Sequence, residues 1–276
     1  MDKKNRGNEK LSVTAIQLSS GEDVQKNLDE VNSQVDQLEE SPNILVLPEV
    51  FNYRTESNHE DPYSEELDGK SIQFLKQLAK GRGMHIIGGS ITETGPNNKA
   101  YNTTVVINDS GQVIGTYRKM HLFDVSLGGK SIRESNRYMS GNQPEIVDIL
   151  GWKVGLSICY DLRFPELFRW YFKAGVDMVV IPSSFTYETG KKHWHILCQA
   201  RAIENQCYVI APNQCGIGAN NTNTFGHSLI INPMGEIMAE ADDASNMSIS
   251  AHLIKSSLDN IRRQFPIQEH QRKELN

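Results

Sequence analysis

The sequence predicts an α/β fold in which two packed β-sheets carry helices on their outer faces. Two observations lead to this prediction: short apolar runs alternate with amphipathic helical patterns, and pairs of runs are joined by residues typical of hairpin turns. No internal repeat, low-complexity segment or linker divides the chain. We therefore expect one domain at 11–276, long enough for a sizeable core, after a flexible N-terminal tail at 1–10.

The predicted strands are short apolar runs bounded by polar or turn-forming residues. In chain order they are LSVTAIQL (11–18), NILVLPEVF (43–51), MHIIGGSI (84–91), AYNTTVVIND (100–109), QVIGTYRK (112–119), WKVGLSIC (152–159), VDMVVIPSS (176–184), CYVIAP (207–212) and MSISAHL (247–253). Ser110-Gly111 joins the fourth and fifth runs as a hairpin turn. A further hairpin, FGHSLIINPMGEIMAEA (225–241), turns at residues 232–235.

Four segments have helical periodicity instead. DVQKNLDEVNSQVDQLEE (23–40) places apolar residues every three or four positions, as an amphipathic helix requires. SIQFLKQLAKGRG (71–83) is a helix closed by glycine. A third helix begins at Pro165, and a fourth covers 191–204. The long polar stretch at 124–145 carries no predicted element.

The composition excludes several classes of protein. The chain is 38% hydrophobic and 22% charged, and its net charge of −6 with no basic block argues against nucleic-acid binding. No apolar run approaches the roughly 20 residues that span a bilayer, and the charged N-terminus shows no signal-peptide core. Cysteines 159, 198, 207 and 215 have no zinc-site spacing. We expect reduced thiols and a cytoplasmic location.

Cys159, in GLSICYDLRFPEL (155–167), is the first candidate for chemistry. It lies where an apolar strand run ends, and α/β sheets place ligands at that end of their strands. The helix from Pro165 would direct N–H groups towards the same end, which favours a thiolate. A lone thiol is more often a core residue, so both interpretations stay open on these observations.

A thiol nucleophile needs a base. Glu49 interrupts the apolar run NILVLPEVF, where burial of an unpaired carboxylate would cost several kcal/mol, so Glu49 needs a partner or a chemical task. Lys119 also follows a strand, although both residues could simply be solvated. A Cys–His hydrolase with His193 as the base is an alternative. His193 and His195 flank Trp194 on a predicted helix, which points their rings to different faces and argues against a metal pair.

The segments LPEVF, YRKMHLFD and GLSICYDLRFPEL, in that order, resemble the nitrilase-like carbon–nitrogen hydrolase superfamily. The resemblance runs from about residue 11 to 272. It also includes ESN (134–136), HW (193–194), RAIENQCYV (201–209) and GHSLIINPMGEI (226–237). It implies a four-layer α-β-β-α sandwich that forms a homodimer of eight layers, with no metal and no organic cofactor.

The resemblance also implies a Glu–Lys–Cys triad at Glu49, Lys119 and Cys159, with a further glutamate at Glu134. In the implied mechanism Glu49 is the base and Cys159 forms a thioester. Lys119 and the backbone N–H of Tyr160 stabilise the oxyanion, and Glu134 orients Lys119. A non-catalytic binding protein on the same fold is the alternative from another class, and loss of a triad residue would favour it.

The stretch CYDLRFPEL resembles the amidase branch that acts on small carboxylated amides, releasing acid and ammonia. Deaminated glutathione is the favoured substrate; the alternatives are an omega-amidase acting on 2-oxoglutaramate or a less specific hydrolase. Arg163 could clamp a substrate carboxylate or form a salt bridge with Glu166. The predicted substrate-binding residues are Tyr160, Arg163, Phe185, Tyr187, Thr189 and His193, of which Phe185, Tyr187 and Thr189 are expected on a loop. Lys191-Lys192 either favour a longer anionic substrate or are solvated.

Overall fold

The structure, a computed structural model, describes residues 8–55, 63–127, 130–218, 222–243, 245–272 and 274. Its strands are β1 (Lys10–Gln17), β2 (Ile44–Val46), β3 (His85–Ile87), β4 (Ile91–Thr94), β5 (Ala100–Ile107), β6 (Val113–Arg118), β7 (Asp124–Leu127), β8 (Lys130–Arg133), β9 (Ile146–Ile149), β10 (Trp152–Leu156), β11 (Met178–Val180), β12 (Tyr208–Ala211), β13 (Cys215–Gly218), β14 (Thr222–Phe225), β15 (Leu229–Ile231), β16 (Ile237–Glu240) and β17 (Met247–Ile254). The helices are α1 (Val24–Asp36), α2 (Lys70–Arg82), α3 (Pro165–Lys173), α4 (Tyr187–Asn205), α5 (Lys255–Gln264) and α6 (Ile267–His270).

Two large sheets form the framework. The first has the order β17-β1-β2-β3-β5-β4, with β6 paired to β5, and the second has the order β16-β15-β12-β11-β10-β9. In each sheet three neighbouring strands are parallel: β1, β2 and β3 in the first, and β10, β11 and β12 in the second. Parallel neighbours need crossover connections, which α1, α2, α3 and α4 supply. The carboxyl ends of each parallel set therefore meet at one edge.

The apolar side chains build four layers. Helices α1 and α2 bury Leu28, Val31, Ile72 and Leu75 against the outer face of the first sheet. A second cluster joins the first sheet to the second and continues to α3 and α4; it includes Val13, Val46, Val154, Phe168 and Trp194, all fully buried. The predicted α-β-β-α sandwich is confirmed.

Two strand predictions were too long because the chain turns sharply near the sheet edge. The run 43–51 is a strand only over β2, and 84–91 divides into β3 and β4 around Gly89. Gly89 has φ +51°, and a Cβ there would lie 2.0 Å from the carbonyl oxygen of Pro48. Only glycine allows this close approach. The approach fixes the turn that carries Glu49.

Several elements were not predicted. The polar stretch 124–145 contains the antiparallel pair β7 and β8 and a short 3-10 helix, Glu134–Asn136. Helix α5 follows the last strand; it buries only Leu258, and Arg262 binds it to the carbonyl oxygen of Val176. The pair β7 and β8 and the 3-10 helix are short and lack the apolar periodicity on which the sequence prediction depends. Helix α5 is mostly polar, and its apolar residues Leu258 and Ile261 are too few to mark it.

The N-terminal tail prediction falls mostly on residues 1–7, which lie outside the described residues. Within the described part, β1 already begins at Lys10 and pairs with β17. No helix in that part is long and apolar enough to cross a membrane.

Candidate active site

Glu49 and Cys159 reach the same region from opposite sheets. Glu49 lies three residues beyond the end of β2, and Cys159 lies three residues beyond the end of β10. Lys119 directly follows β6. Because the two sheets pack face to face, the carboxyl ends of the parallel strands β2 and β10 converge on one cavity. The end of the antiparallel strand β6 brings Lys119 into contact with Glu49.

Hydrogen bonds compensate the burial of the Glu49 carboxylate, which is only 3% exposed. Its Oε1 accepts from Lys119 Nζ at 2.9 Å and from Asn102 Nδ2 at 2.8 Å. Its Oε2 accepts from the backbone N–H of Ser184 at 2.8 Å. Charge-assisted bonds of this kind are the strong ones, and they fix the carboxylate in one orientation.

Lys119 lies between two carboxylates. Its Nζ is 2.9 Å from Glu49 Oε1 and 2.9 Å from Glu134 Oε2, and the Phe123 N–H donates to Glu134 Oε2 at 2.7 Å. Burial alone would lower the pKa of Lys119, but Glu134 and Glu49 outweigh it and raise that pKa well above its usual value. Burial, together with the charge of Glu49, raises the pKa of Glu134, with Lys119 acting against the shift. Lys119 is therefore held as an ammonium.

The Cys159 thiol lies at a sharp backbone turn, the elbow. Cys159 has φ +47°, and its N–H donates to the carbonyl oxygen of Pro182 at 2.9 Å. Burial raises the pKa of the Cys159 thiol well above its usual value, the Glu49 charge adds to the rise, and Lys119 opposes it. The expectation that the helix from Pro165 favours a thiolate is thus outweighed. A protonated thiol needs a base to become a nucleophile.

The Asp161 carboxylate stabilises the elbow through hydrogen bonds. This fully buried carboxylate accepts from the Ile158 N–H at 2.9 Å and from the Tyr117 hydroxyl at 2.7 Å. Its other oxygen contacts His121 through the backbone N–H at 3.0 Å and through Nδ1 at 2.7 Å. His121 is therefore engaged in positioning this loop.

The Tyr160 N–H remains available to a ligand. Within the described part of the chain it donates to no acceptor, whereas its neighbours do: Cys159 N–H bonds Pro182 and Asp161 N–H bonds Ile158. An unpaired N–H directly after a cysteine thiol is suited to bind a developing oxyanion.

The cavity at this point has a volume of about 260 Å³. Of the predicted residues, Glu49, Glu134, Cys159, Tyr160, Arg163, Phe185 and Thr189 line it. Lys119, Tyr187 and His193 are not in the lining; Lys119 is buried and contacts the lining residues Glu49 and Glu134. Tyr187 packs against Phe225 with ring centroids 5.7 Å apart, and His193 is exposed. The lining contains no histidine among the described residues, so the Cys–His alternative finds no base there.

Tyr187 and Thr189 lie in the first turn of α4, not on a loop. The helix begins at Tyr187, four residues before its predicted start. The two lysines that follow stay outside the cavity: Lys191 pairs with Glu188 at 3.2 Å, and Lys192 is exposed.

The Arg163 guanidinium lines the cavity beside two aromatic rings and a histidine. Its carbon lies 5.1 Å from the ring centre of Phe185 and 5.9 Å from that of Tyr160. Its NH1 is 3.3 Å from His193 Nδ1. Among the described residues the guanidinium contacts His193, Phe185 and Tyr160 and no carboxylate, so the alternative salt bridge with Glu166 is not formed there. The guanidinium can bind a substrate anion.

Several lining residues were missed by the sequence analysis. They share polar or aromatic side chains that the folded chain turns into the cavity: Tyr53, Arg54, Asn102, Phe123, Arg137, Tyr138 and Thr224. A signal existed for Asn102, an amide inside the apolar run AYNTTVVIND. Its Oδ1 is buried and has no partner among the described residues, so it offers an acceptor beside Glu49.

Comparison with known proteins decides the family. The family model described as "Carbon-nitrogen hydrolase" matches residues 12–263. The chain belongs to this family. It is a hydrolase of carbon–nitrogen bonds with a cysteine nucleophile, as the resemblance predicted.

The relatives of this hydrolase include two kinds of amidase. It is 36% identical over 265 residues to "Deaminated glutathione amidase" from Synechocystis sp., covering 94% of this chain and 97% of the relative. It is 34% identical over 274 residues to "Omega-amidase NIT3" from Saccharomyces cerevisiae, covering 96% and 94%. Among solved structures, the C. elegans NitFhit protein has a TM-score of 0.90 at 29% identity, covering 98% of this chain and 67% of that one.

The electrostatics of the site predict how Cys159 reacts with iodoacetamide. Because the Glu49 carboxylate disfavours the thiolate, Glu49→Gln should move the alkylation midpoint to lower pH. Lys119→Met should move it to higher pH, since the ammonium favours the thiolate. Peptide-level mass spectrometry measures Cys159 separately, because the tryptic peptide between Lys153 and Arg163 contains no other cysteine. Unchanged midpoints in both variants would contradict this electrostatic account.

Proposed function

We propose that this hydrolase cleaves small carboxylated amides through a Cys159 thioester, with deaminated glutathione as the favoured substrate. The observation that carries the proposal is a buried network in which Lys119 binds Glu49 and Glu134, both of which line the same cavity as Cys159. The network supplies a base and a fixed cation beside a protonated thiol. The complete set of residues argues against the non-catalytic binding protein.

In the first half-reaction Glu49 takes the Cys159 proton and the thiolate attacks the amide carbonyl carbon. The carbonyl π electrons move to oxygen, where the Lys119 ammonium and the Tyr160 N–H stabilise the charge. Collapse of this intermediate breaks the C–N bond. Glu49 returns its proton to the leaving nitrogen, and the acyl group remains on sulfur as a thioester.

In the second half-reaction Glu49 accepts a proton from water, which attacks the thioester carbonyl. The same two donors hold the oxyanion, and collapse breaks the C–S bond. The proton on Glu49 returns to the Cys159 sulfur, so the free acid leaves and the enzyme is restored. Glu134 acts through Lys119, because it contacts Nζ at 2.9 Å and keeps the ammonium oriented.

The leaving group distinguishes the two substrate classes. In deaminated glutathione the scissile nitrogen belongs to cysteinylglycine, so hydrolysis releases that dipeptide; ammonia leaves only from primary amides such as 2-oxoglutaramate. The expectation of acid plus ammonia therefore holds for the omega-amidase alternative alone. Both substrates carry the same 2-oxo acid on the acyl side, which matches the Arg163 guanidinium as a carboxylate clamp.

A substrate panel tests the proposal. 2-Oxoglutarate release is measured from deaminated glutathione and from 2-oxoglutaramate, and succinamate, glutamine, an N-carbamoyl amino acid and a nitrile serve for comparison. We expect the highest kcat/KM with deaminated glutathione. Preference for 2-oxoglutaramate would establish the omega-amidase alternative with the same mechanism, and no turnover of any compound would refute the proposed activity.

Arg163→Met should raise KM for carboxylated amides about tenfold to a hundredfold, because a hydrogen bond to a charged group contributes about 1.5–3 kcal/mol. KM for a neutral amide such as butyramide should stay the same. Arg163→Lys retains the charge but lacks the planar guanidinium. Its KM for carboxylated amides should lie between those of the wild type and Arg163→Met. Equal losses for charged and neutral amides would show that Arg163 does not recognise the carboxylate.

Glu49→Gln should lower kcat by about 10²–10⁴, the range typical of general acid–base groups. Glutamine nearly preserves the shape of the glutamate side chain, and His193 is unchanged in this variant. The variant therefore separates the glutamate base from the Cys–His alternative. Glu66→Gln, at an exposed position, is the matched control. Thiol-dependent turnover at the wild-type rate in Glu49→Gln would rule out Glu49 as the base.

We also propose that the enzyme is a homodimer joined through α3, α4 and the hairpin of β15 and β16. This side exposes large apolar residues: Trp170 is 46% exposed, Ile196 67%, Ile203 50% and Met234 50%. Exposed large apolar residues on neighbouring elements are typical of an interface, and a second copy would produce eight layers. Light scattering should give a dimer for the wild type and a monomer for Ile196→Asp; a monomeric wild type would refute the interface.

We propose that the enzyme is located in the cytoplasm. All four cysteines are free thiols in the structure, as expected in a reducing compartment. Titration of denatured enzyme, purified without reductant, should find every thiol free, whereas disulfide-linked peptides would contradict this location.

A further inference from the structure

A second cluster of metal-binding side chains lies outside the catalytic cavity. His195 comes from α4, His227 from the turn before β15, and Glu240 from the end of β16. His195 Nε2 and His227 Nδ1 are each 2.8 Å from the same oxygen, Glu240 Oε1. The three donor atoms all lie within 4.8 Å of one another. None of these residues lines the catalytic cavity.

The backbone around His227 is fixed before any ligand binds. His227 has φ +51°, its N–H donates to the Asp242 carbonyl oxygen at 2.9 Å, and its own carbonyl oxygen accepts from Trp194 Nε1 at 2.7 Å. Trp194 is fully buried in α4 directly before His195. The same tryptophan thus fixes the position of one histidine relative to the other. A non-glycine residue in left-handed conformation is uncommon and needs such support.

The surroundings leave the three donors accessible on one side and shielded on the other. The Phe225 ring centre lies 4.4 Å from that of His227 and 5.9 Å from that of His195. The side chains of His195, His227 and Glu240 remain 30%, 26% and 34% exposed. An ion can therefore reach the donors from solvent, and water can complete its coordination.

We propose that His195, His227 and Glu240 bind one divalent transition-metal ion, with Zn²⁺ as the best match. Two imidazole nitrogens and a carboxylate oxygen suit Zn²⁺, Ni²⁺ or Cu²⁺, whereas Mg²⁺ and Ca²⁺ prefer all-oxygen sites. The convergence of both ring nitrogens on one oxygen places them close enough to share an ion after small side-chain rotations. His195 does not pair with His193 in this cluster; its partner, His227, is 32 residues further along the chain.

The ion would join α4 to the hairpin of β15 and β16. Helix α4 carries Thr189 of the cavity lining, and β14, which ends at Phe225, carries Thr224 of the same lining. The role of the bound ion is structural, because the ion stabilises the native state by binding that state alone. The proposal does not depend on the amidase activity.

Isothermal titration with Zn²⁺ tests this site, using tag-free protein with Cys159→Ala so that the catalytic thiol cannot bind the metal. We expect one ion per chain. His195→Ala, His227→Ala and Glu240→Gln should each weaken binding by at least about tenfold, since even outer-shell changes cost that much. His252→Gln, at an exposed position on β17, is the control and should bind like its parent.

Two further readouts keep the test independent of folding defects. Co²⁺ should give an absorption spectrum without the thiolate charge-transfer band, as expected for nitrogen and oxygen ligands. Zn²⁺ should raise Tm of the Cys159→Ala protein and leave Tm of its His195→Ala derivative unchanged. Absence of stoichiometric binding, or unchanged affinity in a folded His195→Ala variant, would overturn the proposal.

Discussion

Replacing Cys159 with alanine should lower amide hydrolysis by about 10⁴-fold or more, because no other group in the cavity can form the acyl intermediate. Removal of a nucleophile costs this much or more in well-studied hydrolases. The fold should persist, since alanine is smaller and Asp161 still holds the elbow through Ile158, Tyr117 and His121. Steady-state rates on the favoured substrate, with circular dichroism for the fold, measure the effect.

Cys198→Ala is the matched thiol control for this variant. Cys198 is fully buried in α4 and does not line the cavity. We expect its removal to lower stability by about 1 kcal/mol, as for loss of a small buried group, and to leave kcat nearly unchanged. Equal losses of activity in both variants would mean that general damage to the fold, and not loss of the nucleophile, explains the effect of Cys159→Ala.

Replacing Lys119 with methionine should affect both activity and stability. Loss of an oxyanion donor typically lowers the rate by about 10²–10³. Removal of one partner from a buried ion pair costs about 3–5 kcal/mol, here because Glu49 and Glu134 are left together without a cation. Lys80→Met, at an exposed position in the last turn of α2, should change neither quantity.

The stability loss in Lys119→Met should depend on pH in a defined direction. In the wild type, Lys119 limits the rise in the pKa of Glu134. Removal of Lys119 therefore raises that pKa further above its value in the unfolded state. The native state then binds more protons than the unfolded state, and stability is lost as the pH rises through the raised pKa. Acidification should therefore restore part of the free energy of unfolding. Urea titrations at several pH values measure this, and a loss that is independent of pH would contradict it.

A double variant separates the two effects of Lys119. In Lys119→Met with Glu134→Gln one of the two buried charges is gone, so stability should recover substantially over the single variant. Activity should remain low, because the oxyanion donor is still missing. Recovery of activity together with stability would contradict the assignment of Lys119 as that donor.

Glu49, Lys119 and Cys159 could be named as candidates because each stands where an apolar strand run ends, a feature of the local pattern. That pattern alone left ordinary interpretations open for all three, and the proposed triad came from the resemblance to the family. Asn102 and Asp161 could not be assigned in the same way. Their roles depend on which side chains meet across two sheets, such as Asp161 with Tyr117 at 2.7 Å, and no spacing in the chain encodes that contact.

The start of α4 shows how packing can override local propensity. Gly190 weakens the helical signal, which explains a predicted start at 191. In the fold a Cβ at this position would lie 2.4 Å from the Cβ of Phe225, so the close packing of α4 on β14 requires glycine. Tyr187 and Thr189 consequently belong to the helix, and Tyr187 turns towards Phe225 instead of the cavity.

The most direct measurement of the central claim is mass spectrometry of the enzyme quenched in acid during turnover of its preferred amide. The account predicts an acyl group on the peptide that contains Cys159, with the mass of the substrate minus its leaving amine. The adduct should be absent from Cys159→Ala. Turnover with no adduct at Cys159, or with the acyl group on another residue, would contradict the thioester mechanism.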